Sequence, residues 1–113
     1  MSVRAFTNDA AGLLARIKKM IDQGHISTWS YDSDGDFTHT PIQWKSKAWL
    51  RPDPQADKLR LTIIAPKSGI SREVFAVYHG RFIEMLIAHV SGRFTTISAS
   101  PNPVPGDEPD LQG

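Results

Sequence analysis

The chain has no cysteine in its 113 residues, which excludes a disulfide framework and any thiolate metal site. It also lacks a long hydrophobic run. The longest apolar cluster, FIEMLIAHV at 82–90, falls far short of the roughly 20 residues that cross a bilayer. The opening stretch MSVRAFTNDAAGLLARIKKM has no apolar core of a secretory signal. A cytoplasmic protein without membrane contact is therefore expected. No internal repeat is present, and the net charge of +1 leaves any electrostatic recognition to the way charge is distributed along the chain.

What is present fits one domain. A chain of this length buries roughly two-thirds of the surface that its unfolded form exposes. A hydrophobic content of 40% beside 22% charged residues separates it from disordered and coiled-coil chains. The charge is uneven: residues 43–72 carry seven basic groups against two acidic ones, while both flanks are acidic.

Leu13, Leu14, Ile17, Met20 and Ile21 recur at helical spacing and predict a core-packing helix over about 8–23, capped by Thr7 or Asn8 and ended by Gly24. Asp34-Gly35 predicts a two-residue hairpin turn, with Ser33 opposite Asp36 and His39 opposite Ser30. A longer hairpin is expected from 43–51 and 58–65, with residues 51 and 58 paired across the loop PDPQAD. The aromatic and β-branched content of REVFAVYHG (72–80) favours a strand over the start of a long helix. Phe82, Ile83, Leu86, Ile87 and Val90 then give a helical stripe, and RFTTISA (93–99) a last strand.

The expected fold is α+β: a largely antiparallel sheet of four to six strands with two helices packed on one face, in the order helix, β-meander, helix, strand. The domain should span 1–99. Residues 100–113, with four prolines and three carboxylates, should form a disordered acidic tail, because nothing in them offsets the entropy of ordering.

Asp32, Asp34 and Asp36 fail the calcium-loop spacing, since Gly35 is the fourth residue and Gln43 the twelfth. They read as turn carboxylates. Neither His39 beside Ser30 nor His25 after Gly24 has an oxyanion-hole motif around it. No metal ligand, cofactor or catalytic residue is assigned.

Two sites are expected. Strand alternation puts Lys45, Lys47, Trp49 and Arg51 with Lys58 and Arg60 on an outward sheet face, Arg60 opposite Trp49, while Trp44 and Leu50 face the core. Such a basic plate with an indole suits single-stranded nucleic acid or an acidic protein, and equally a solvated face on which Arg60 shields Trp49. The second site is His79-Gly80-Arg81, read as a strand-to-helix junction whose open N–H groups and guanidinium could hold an anion. The leading reading is a small non-enzymatic binding or regulatory module that uses the basic face. The alternative is a small hydrolase or phosphate-handling enzyme built on the junction.

Overall fold

Strand β1, Ser2–Phe6, opens the computed structural model, which describes residues 2–105, 107, 111 and 112. Its alternation is simple: Val3 and Ala5 are buried, and Arg4 and Phe6 lie half-buried on the other side. Helix α1, Ala10–Asp22, follows. Asp9 is its cap, with Oδ1 accepting from the Gly12 N–H at 3.0 Å, one position past the predicted Thr7 or Asn8. At the other end Gly24 adopts φ +79°. Its N–H donates to Ile21 O, and His25 N–H donates to Met20 O, the paired bonds of a Schellman ending.

Strands β2 (Trp29–Tyr31) and β3 (Phe37–His39) form the first hairpin. Trp29 faces His39, Ser30 faces Thr38 and Tyr31 faces Phe37, one residue away from the predicted register. The reason lies in the turn. Gly35 N–H donates to Asp32 O, Asp32 N–H donates to Asp36 O, and Gly35 has φ +84°. The loop therefore holds three residues and closes on a left-handed glycine, the bulged alternative to a two-residue turn. The slip places Ser30 and His39 on opposite faces, so they form no pair.

The second hairpin joins β4 (Trp49–Pro54) to β5 (Lys58–Ile64). Arg51 pairs with Thr62, Asp53 with Arg60 and Pro54 with Leu59, so the predicted 51–58 pairing is replaced by one four residues further along. Pro52 and Pro54 extend the strand instead of ending it. They can do so because β3 meets β4, among the described pairs, only at Phe37↔Leu50; beyond that point the edge needs no donor. Residues 41–47, of which 43–47 are expected as strand, form successive turns in which Ser46 takes φ +59°.

After the two-residue strand β6 (Ile70–Ser71), helix α2 runs unbroken over Arg72–Val90. This corrects the strand predicted at 72–80. Ser71 caps the helix through the Val74 N–H at 3.1 Å, with Glu73 in the first turn. Phe75, Tyr78, His79, Phe82, Met85, Leu86 and Val90 all lie buried along one side. The crowding of β-branched and aromatic residues that suggested a strand is a helical face wide enough to fill a core. A single 3-10 turn leads to β7, Thr96–Ala99.

The six strands form an antiparallel sheet in the order β2-β3-β4-β5-β1-β7. One core joins Leu13 and Ile17 of α1, the buried side of α2, and Val3, Ala5, Phe37, Leu50, Leu59, Leu61 and Ile63 of the sheet. Both helices thus cover the same face, as α+β patterning requires. Strand β8, Leu111–Gln112, pairs in parallel with β6 apart from this sheet.

The expectation of a disordered tail falls in part on residues 106, 108–110 and 113, outside the described set. Where the tail is described, it touches the domain. Ile63 N–H donates to Asp107 Oδ1 at 2.8 Å, and Arg60 donates to the Pro105 carbonyl oxygen.

Candidate binding face

Because Val3, Ala5, Leu59, Leu61, Ile63 and Leu50 point into the core, their neighbours stand on the side away from the helices. Arg4 and Phe6 of β1, Lys58, Arg60, Thr62 and Ile64 of β5, and Trp49, Arg51 and Asp53 of β4 share this outer side. Four of the six expected plate residues are therefore together on one face: Trp49, Arg51, Lys58 and Arg60. Lys45 and Lys47 are not. They sit exposed in the 41–47 turns, and Lys47 lines a separate hollow with Ser68, Gly69 and Ser71 at the start of α2.

Register decides what each cation meets. Trp49 lies half-buried opposite Ile64, not Arg60. Arg51 reaches across to the buried Asp36, with Nε 3.3 Å from Oδ1 and Nη2 3.2 Å from Oδ2. This two-pronged contact occupies both carboxylate oxygens and anchors the first hairpin to the second. Lys58 Nζ lies 3.2 Å from Asp57 Oδ1 and 5.8 Å from the Phe6 ring centre.

Arg60 is flanked by Asp53 on β4 and by Arg4 on β1. The Arg4↔Arg60 pair is the feature that inspection of the sequence missed. Two like charges directly opposite in a ladder destabilise it by about 0.2–1 kcal/mol. Arg4 donates to the hydroxyls of Ser98 (2.8 Å from Nε) and Ser100 (3.0 Å from Nη2). The signal was the alternation of SVRAF at the start of the chain.

The second expected site is corrected by the helix that contains it. His79, Gly80 and Arg81 lie in the middle of α2, where backbone N–H groups are taken by carbonyls one turn earlier. No strand-to-helix junction exists there, and no open N–H cluster faces an anion. His79 is buried, with Nδ1 2.6 Å from Phe75 O and its ring against Phe75. Arg81 pairs with Glu84 at 3.2 Å.

His39 is the other buried imidazole. Nδ1 lies 2.7 Å from Thr28 O, and since a carbonyl only accepts, Nδ1 carries the hydrogen. The ring packs on Trp29 at 4.7 Å. Burial lowers its pKa below the ordinary histidine value; the Thr28 bond opposes this, and the Arg81 charge adds to it.

Near the Tyr78 hydroxyl the polar groups are internally satisfied. Tyr78 donates to Trp44 O. Thr38 Oγ1 accepts from Ser46 N–H at 3.1 Å and lies 3.0 Å from Ala48 O. The Asp32 carboxylate of the first turn is spent locally too, Oδ1 accepting from Asp34 and Asp36 N–H. Among the described residues no group of three or more metal-ligating side chains occurs, and no helix is long and apolar enough to cross a membrane. A cleft of about 500 Å³ opens at one end of the sheet between Phe6, Asn8, Asp57, Arg93 and Phe94. No protein-family model, no curated protein and no solved structure matches this chain.

Proposed function

We propose that this protein is a non-enzymatic binding module whose outer sheet face takes an extended acidic segment of a partner protein. The observation that carries the reading is the Arg4↔Arg60 pair on adjacent strands. A carboxylate set between two guanidiniums gains charge-assisted hydrogen bonds from both. Lys58 extends the positive row along β5, and the hydroxyls of Ser98 and Thr96 on β7 border it.

The same geometry favours a polypeptide over single-stranded nucleic acid. Base stacking needs aromatic platforms along the backbone track, whereas Phe6 and Trp49 stand at opposite ends of the strands, against Lys58 and Ile64 respectively. Asp53 beside Arg60 and Asp36 on Arg51 would repel a continuous phosphate chain more than a segment with spaced carboxylates.

The test is an NMR titration of the full chain with a glutamate-rich decapeptide and, in parallel, a single-stranded oligonucleotide. Peptide-induced shifts at Arg4, Lys58 and Arg60 are expected. Arg4→Ala combined with Arg60→Ala should weaken binding about tenfold or more, as loss of two charged contacts implies. Shifts confined to other surfaces, or tighter binding of the oligonucleotide, would overturn the reading.

A further inference from the structure

We infer that the chain's own C-terminal segment is a built-in competitor for the outer face, a strap that must peel away before an acidic partner binds. The inference rests on the acidic-segment reading of that face. From the end of β7 the chain turns across the outer side of β1 and β5, and two of its contacts fall on the arginines assigned to the partner. Ser100 Oγ accepts from Arg4 Nη2 at 3.0 Å. The Pro105 carbonyl oxygen accepts from Arg60. Asp107 Oδ1 accepts from Ile63 N–H at 2.8 Å, one residue past the Ser2↔Thr62 pair where the described part of β1 ends.

The composition of the segment suits a displaceable occupant. Pro101, Pro103 and Pro105 lack N–H groups, so the segment lies across the sheet without adding a hydrogen-bonded strand to it. Asp107 Oδ2 accepts from Val104 N–H at 2.8 Å, while the other carboxylate oxygen faces β5. Pro101, Asn102, Pro103 and Pro105 are exposed. Among the described residues the contacts with the outer face are thus polar. The segment's three carboxylates match in sign what the face selects, and pairing of β8 with β6 tethers the far end, so a released strap remains close at hand.

The experiment compares the full chain with its Asp107→Ala variant. Hydrogen exchange at the Ile63 amide reports the strap, and affinity for the glutamate-rich decapeptide reports the face. The variant should exchange Ile63 about tenfold faster or more and bind the peptide at least about threefold tighter, with shifts still at Arg4 and Arg60. Unchanged Ile63 exchange would overturn the strap. Faster exchange with unchanged or weaker peptide binding at the same arginines would overturn competition while leaving the face reading intact. Faster exchange with no peptide binding to either protein would overturn the face reading itself.

Discussion

The two sides of the sheet use tryptophan in opposite ways. On the helix side Trp29 is 1% exposed and is packed edge-on against Tyr78 and Phe82 at 5.6 and 5.0 Å. On the outer side Trp49 is half-buried beside Ile64 with no helix above it. The inner side has large rings in contact with one another, and the outer has cations spaced along strands. Stability therefore resides in the first layer, and the second is left free to carry charge that a core could not tolerate.

The sharpest way to break this contrast is Trp29→Ala. Truncating a fully buried aromatic costs about 3–5 kcal/mol, and urea denaturation should show a loss of that size. Trp49→Ala should cost about 1 kcal/mol, since only part of its area is withdrawn from water. Equal losses at the two positions would erase the distinction between the faces.

Next in size is Arg51→Ala. It leaves the buried Asp36 carboxylate without its guanidinium, and because Arg51 is itself half exposed the loss should be about 1–2 kcal/mol. The double variant with Asp36→Ala should lose less than the two single losses combined, which a double-mutant cycle measures.

A smaller effect separates the layers by pH. His39 is kept neutral by burial, its pKa below the ordinary value. As pH falls through about 6.5 the unfolded chain takes up a proton that the folded chain resists, so this contribution is fully present above that value and is lost as acid drives the pH towards the folded pKa. Thermal midpoints at pH 8 and pH 5 should differ less in His39→Gln than in the parent. Smallest of all is Lys58→Ala, whose surface pair with Asp57 should be worth within about 0.5 kcal/mol by the same denaturation measurement.

Much of this layering was legible in the sequence. The α1 stripe, the Gly24 ending and the inward set Leu50, Leu59, Leu61 and Ile63 follow from periodicity alone, because a strand's two faces are defined by parity whatever it pairs with. Pairing is different. The Asp32–Asp36 loop moved one register by one residue and the proline-bearing β4 moved the other by four, so Trp49 met Ile64 instead of Arg60. Turn geometry and edge position set those offsets, and neither is written in hydrophobic pattern. The first half of α2 was misread because Val74, Phe75, Val77 and Tyr78 have strand propensity, which burial on a helix face overrides. Arg4 escaped notice because its strand is a five-residue segment whose significance depends on two distant partners.

Those partners carry a consequence for how the molecule is made. Strand β1 is formed by residues 2–6, yet it lies between β5 and β7, whose residues follow it far along the chain. Arg4 bonds Ser98 across a separation of 94 residues. Local elements such as α1 and the two hairpins can form from neighbouring residues, but the sheet cannot close around β1 until both β5 and β7 have reached it. Non-local closure of this kind slows folding. The segment VRAF is thus a strand waiting for two distant neighbours, and the sheet is complete around it only when both have docked.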